Sequence, residues 1–148
     1  GQGGGVFMET TWSSTGVAFT ASDDVVIESN SCGSYGGGVA TARSGRPGGD
    51  SMEMSNTLVR GNTAGHSGGG IAMKSGTLLL SNMSMDHNRA SASGGAVYVM
   101  GATLQVSGNW TMSGNSARLS GGSLTADGSQ VLLQGNATVC FNRAGTDG

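Results

Sequence analysis

Short apolar runs with strict alternation recur along the chain, each set off by glycine or asparagine. Val39/Thr41, Ile71/Met73 and Val97/Val99 follow glycine clusters, and Met52/Met54, Leu78/Leu80, Leu104/Val106 and Val131/Leu133 come next in turn. Period two is the signature of a strand with one buried face. A further short segment lies between two asparagines in each cycle. It carries an apolar residue (Ile27, Val59, Met85, Met112, Val139) three positions before the second asparagine, where an inward side chain is expected.

These runs belong to a repeat. A glycine pair, then a small residue and an aliphatic one, occurs at Gly3-Gly4-Gly5-Val6, Gly36-Gly37-Gly38-Val39, Gly68-Gly69-Gly70-Ile71, Gly94-Gly95-Ala96-Val97 and Gly121-Gly122-Ser123-Leu124. The repeats start near 3, 36, 68, 94 and 121, with spacings of 33, 32, 26 and 27 residues. Asn30, Asn62, Asn88, Asn115 and Asn142 each precede the next glycine pair by six positions, counting Gly148 as the start of a further one. Six positions earlier still stand Asp24, Asn56, Asn82, Asn109 and Asn136. A coil of three strands and three turns needs roughly 20 to 30 residues, the size of a solenoid repeat. The expected fold is therefore all-β: a right-handed parallel β-helix (solenoid) of about five coils of three short strands, some 24 Å long at ~4.8 Å per rung. Residues 1–148 read as one solenoid segment, a fragment of a longer repeat protein.

Stacking explains the residue types. An asparagine at a fixed position in every coil can hydrogen-bond the one in the next coil, so both columns are expected to form internal amide ladders. Glycine permits positive φ and close backbone approach at the corner that follows, and the eight methionines suit a thin, irregular core. In the column after the first ladder (Val25, Thr57, Met83, Trp110, Ala137), bulky Trp110 is expected to be accommodated by small Ala137 and flexible Met83.

Composition narrows the alternatives. Only 36% of the chain is hydrophobic and 5% aromatic, too little for a conventional layered globule of this length. The 29 glycines follow no three-residue period, which excludes collagen. Net charge is −2, and the basic residues Arg43, Arg46, Arg60, Lys74, Arg89, Arg118 and Arg143 are scattered, which argues against a nucleic-acid partner. No apolar run reaches the ~20 residues that span a bilayer as a helix.

Gly-Gly-Ala-aliphatic, with an asparagine six positions before it and an apolar residue three before that, resembles the repeats of chlamydial polymorphic outer-membrane proteins, which carry GGA[ILV] and FxxN. Gly94-Gly95-Ala96-Val97 matches the first motif in full, and the other copies put glycine or serine third. Ile27, Val59, Met85, Met112 and Val139 replace the phenylalanine. The resemblance implies a β-helical, surface-exposed passenger acting in adhesion. Similar repeats occur in large secreted proteins of other bacteria, algae and protists. It carries over architecture and an extracellular or cell-surface location, and no binding residue.

Candidate chemistry is sparse. Three glycosylation sequons start at Asn82, Asn109 and Asn136, all in the first asparagine column. Cys32 and Cys140 are four coils apart, about 19 Å at ~4.8 Å per coil and beyond disulfide reach. His66 and His87 occupy different columns without ligand partners, and Gly48-Gly49-Asp50 is the only turn of its kind, so neither a metal nor another cofactor is expected. Asp23-Asp24 is the one adjacent acid pair, and Asp24 already has a place in the ladder, so no catalytic residue is assigned. Two longer segments, Glu9 to Gly16 and Ala42 to Ser51, interrupt the first two repeats and carry Trp12, Arg43, Arg46 and Asp50, a mix suited to a binding loop. The expected role is an extracellular structural or adhesive module, a surface scaffold or filament-type component. Its expected partners are the adjacent coils, a protein or glycan at the cell surface, or copies of itself. The alternative is part of a polysaccharide-active β-helix enzyme of the pectin-lyase kind.

Overall fold

The computed structural model describes residues 3–9, 16–41 and 50–145. Every strand in them pairs in parallel with its counterpart one repeat away, giving three sheets that wrap a common core as a β-solenoid. Three coils, 68–93, 94–120 and 121–145, are continuously described. The two before them, 3–35 and 36–67, are interrupted by the long segments.

The second and third sheets have five rungs each, and the first has eight strands because each coil contributes two segments to it. Residues after the glycine cluster pair as Val6↔Val39, Val39↔Ile71, Ile71↔Val97 and Val97↔Leu124. The following segments pair as Phe19↔Met52, Met52↔Leu78, Leu78↔Leu104 and Leu104↔Val131. The sequence pattern separates these two runs. In the third and fourth coils they merge into single strands, Ile71–Ser81 and Val97–Ser107. Positive φ at Ser75, Gly76 and Gly101 bends the chain there while the ladder continues. Sheet two is the segment between the asparagines, with Ile27↔Val59, Val59↔Met85, Met85↔Met112 and Met112↔Val139 in register. Sheet three, of two-residue strands Ser31–Cys32, Thr63–Ala64, Arg89–Ala90, Ser116–Ala117 and Arg143–Ala144, has no apolar alternation and is not evident from the sequence pattern.

Alternation fills the core. Val39, Met52, Met54, Val59, Ile71, Met73, Leu78, Met85, Val97, Val99, Leu104 and Val106 are all at 0% exposure. Each large aliphatic buried this way stabilises the fold by about 1.5–3 kcal/mol. Trp110 lies opposite Ala137 in register and joins the core with Met83. Its Nε1 donates to the Gln134 carbonyl at 2.9 Å, so the indole is polar-satisfied within the core. In the fifth coil the same columns are open: Val131, Leu133 and Val139 are 39%, 46% and 56% exposed, since no described rung lies beyond them.

Glycine acts at two adjacent places in each cluster. The first, at Gly3, Gly36, Gly68, Gly94 and Gly121, has φ between +60° and +70°. The second, at Gly37, Gly69 and Gly95, has no room for a Cβ, which would collide with the carbonyl of the glycine one coil on.

Candidate binding flank

The inner asparagine column sits between sheets two and three. Asn62, Asn88 and Asn115 are almost completely buried. The main-chain N–H and the side-chain amide of each both donate to the Oδ1 of the next: Asn30 to Asn62 at 3.0 and 3.1 Å, Asn62 to Asn88 at 3.1 and 3.0 Å, Asn88 to Asn115 at 2.9 and 3.0 Å, Asn115 to Asn142 at 3.0 and 3.0 Å. The remaining amide hydrogen of Asn62, Asn88, Asn115 and Asn142 reaches the carbonyl of Ile27, Val59, Met85 or Met112 at 2.8 Å. Asn62, Asn88 and Asn115 thus each tie their own coil to the one before and the one after.

The first column differs from its expected internal position. Asp24, Asn56, Asn82, Asn109 and Asn136 are exposed, at the corner between sheets one and two. Asp24, Asn56 and Asn82 take left-handed backbone, which points their side chains away from the core, while Gly108 and Gly135 absorb that turn in the last two coils. Hydrogen bonding persists with the reverse sense: Asn82 Nδ2 donates to Asn56 Oδ1 at 3.2 Å and Asn136 Nδ2 to Asn109 Oδ1 at 3.0 Å. Asn82 Oδ1 accepts the Asn109 main-chain N–H at 3.0 Å. The three sequon asparagines therefore lie on the surface.

Of the loop candidates, Trp12, Arg43 and Arg46 lie outside the described residues. Asp50 is described and is buried, not displayed: it is 1% exposed, and its Oδ1 accepts the Val17 N–H at 3.2 Å. Its carbonyl accepts from Thr77 at 2.9 Å, so Asp50 joins three consecutive coils at the corner of sheet one. Cys32 and Cys140 form no disulfide with each other. The Cys32 thiol is held by the Ser34 N–H and the Tyr35 carbonyl, both at 3.3 Å. His87 is exposed beside Gly114.

Two surface features come from residues that the sequence pattern did not single out as a group. Along the outward face of sheet one, Phe7, Ala40, Ala72, Tyr98 and Thr125 form one column. Ala40 and Ala72 are fully buried although they belong to this column. The Tyr35 ring lies 4.5 Å from His66 and 6.0 Å from Tyr98, and the Lys74 Nζ sits 3.2 Å from its centroid, a cation–π contact. Burial raises the Tyr98 phenol above its ordinary value, with the Asp127 carboxylate and Tyr35 adding to the effect. Tyr35 and His66 come from the segment after sheet three, and Lys74 and Tyr98 from neighbouring coils of sheet one, so only the stacking brings them together. The second feature is a groove of about 320 Å³ further along the same sheet, lined by Glu53, Leu79, Gln105, Ser81, Ser107 and Gln134.

Among the described residues no group of three or more His, Cys, Asp or Glu side chains could hold a metal ion, and no helix is long and apolar enough to cross a membrane. No family model, curated protein or solved structure matches the chain.

Proposed function

We propose that this chain is a structural and adhesive β-solenoid module of an extracellular or cell-surface protein, a rigid scaffold that engages a partner through its outward flank. The observation that carries this reading is the Tyr35–His66–Tyr98–Lys74 cluster, assembled from successive coils on a scaffold whose rungs are locked by buried amides. Partly exposed tyrosines backed by a fixed framework contribute a large contact area at low entropic cost, the composition of binding hot spots. Aromatic faces with a nearby ammonium, carboxylate and imidazole suit either a protein surface or a glycan, and the resemblance to adhesive passenger repeats points the same way.

The test is capture of the 148-residue chain on arrays of extracellular-matrix proteins and glycans, with a Tyr35→Ala/Tyr98→Ala variant alongside. Binding weakened by tenfold or more, about 1.4 kcal/mol, supports the reading. Equal capture of the variant removes the cluster from the function. No capture, together with turnover of a polysaccharide by the wild-type chain, replaces the adhesive reading with the enzymatic one.

A further inference from the structure

We propose that the groove on the second segment of sheet one binds an extended, β-linked neutral polysaccharide laid along the solenoid axis. Its walls are two columns of outward side chains in parallel register. Glu53, Leu79 and Gln105 form one, and Ser81 and Ser107, with Gln134 beyond them, form the other. The side chains offer a carboxylate, two primary amides and two hydroxyls around apolar Leu79, with Met54 and Leu80 also lining the groove. None of these five polar side chains has a hydrogen-bond partner among the described residues. Unpaired amide and hydroxyl groups flanking a small apolar patch match a sugar ring, which presents hydroxyls at its edge and C–H bonds on its face.

Charge selects within that class. No basic side chain lines the groove, and its single ionisable group is the Glu53 carboxylate. Uronate or sulfated chains therefore meet repulsion without a compensating cation, whereas a neutral chain meets only donors and acceptors. Geometry selects further. Rungs recur at ~4.8 Å, close to the length that one hexose adds to an extended chain, so successive sugars can lie over successive coils, with Ser81 and Ser107 repeating a hydroxyl in register. The exposed amides of Asn56, Asn82 and Asn109 continue the same neutral, polar chemistry beside the groove. This site is separate from the tyrosine cluster, which occupies the other segment of the sheet, and does not depend on it.

The experiment is affinity electrophoresis of the whole chain through gels containing hydroxyethylcellulose, a soluble β-linked neutral glucan, or polygalacturonate. Retardation is expected in the first and not in the second. Gln105→Ala/Gln134→Ala is expected to weaken it about tenfold, as befits the loss of two hydrogen-bonding side chains, with the circular dichroism spectrum unchanged. Tyr35→Ala/Tyr98→Ala is expected to migrate as wild type. Absence of retardation in the glucan, equal retardation in polygalacturonate, or wild-type behaviour of the glutamine variant overturns the proposal. If the tyrosine variant alone loses retardation, the glycan belongs at the aromatic cluster: the groove assignment fails and the adhesive reading stands.

Discussion

Asn88 lies in the middle of the inner ladder at 1% exposure, and it is the residue whose removal should be felt most. Its Oδ1 accepts the Asn62 main-chain N–H at 3.1 Å and the Asn62 Nδ2 at 3.0 Å, and its Nδ2 donates to the Val59 carbonyl at 2.8 Å and to Asn115 Oδ1 at 3.0 Å. These bonds use the full capacity of a primary amide. Asn88→Ala strands two donors on Asn62, a residue at 0% exposure, and takes a partner from a buried carbonyl. Asn115 Oδ1 keeps the Asn88 main-chain N–H at 2.9 Å and is spared. At about 1–3 kcal/mol for each of these three buried groups left unpaired, the loss is about 3–9 kcal/mol, a large share of the ~5–15 kcal/mol that holds a typical domain together. Asn142→Ala is the control. Asn142 receives the same pair of bonds from Asn115, both at 3.0 Å, but is only partly buried on the fifth coil, where water can replace its oxygen, so about 1–2 kcal/mol is expected. Urea titrations followed by far-ultraviolet circular dichroism measure both. A loss below about 1 kcal/mol for Asn88→Ala, or equal losses for the two variants, refutes the view that buried ladder amides hold the coils together.

Two glycines should separate two reasons for glycine. Gly95→Ala drives a Cβ into the Gly122 carbonyl and should destabilise severely or prevent folding, whereas Gly101→Ala, at φ +59° with nothing within 4 Å, should cost only about 1–2 kcal/mol; thermal melts of the pair decide. Difference absorbance titration of wild type against Tyr98→Phe should place the Tyr98 midpoint above 10.0. Because the folded state holds that proton more tightly than the unfolded chain, the associated stabilisation is complete below about pH 10 and is lost as pH rises through the folded-state midpoint; an unshifted midpoint contradicts the burial of the phenol. Expression through a eukaryotic secretory route should add glycan at one or more of Asn82, Asn109 and Asn136, read by peptide mass mapping. A glycosylated amide retains one hydrogen, so Asn82 and Asn136 can keep their bonds to Asn56 and Asn109; three bare asparagines refute surface accessibility as the deciding factor.

The parallel solenoid was legible because stacking converts one-dimensional spacing into contacts. Gly-Gly-x-aliphatic and two asparagine columns at constant offsets imply rungs in register, and Ile71↔Val97 and Met85↔Met112 are the pairs that the spacing aligns. Which way a ladder faces was less legible. Both columns repeat asparagine with equal regularity, and the first is set apart by a left-handed corner, at Asp24, Asn56 and Asn82 themselves or at Gly108 and Gly135 just before Asn109 and Asn136, which spacing does not encode. The two-residue strands of sheet three were missed because Ser31–Cys32 or Arg89–Ala90 is too short to show alternation. The tyrosine cluster was missed for a different reason. Tyr35 and Tyr98 occupy unrelated positions within their repeats and meet only across the stacked coils, a contact no periodicity announces.

The direction of the amide ladder has a mechanical consequence. Its hydrogen bonds run along the long axis of the rod, linking each coil only to its neighbours. A tether that pulls the two chain ends apart along that axis therefore loads the bonds of a terminal coil first and peels it away before the next feels the force. Each coil of 27 residues such as 94–120 would release up to ~90 Å of slack, at about 3.3 Å per residue. A solenoid of this design would yield in steps under such a load, each released coil lengthening the chain before the next gives way.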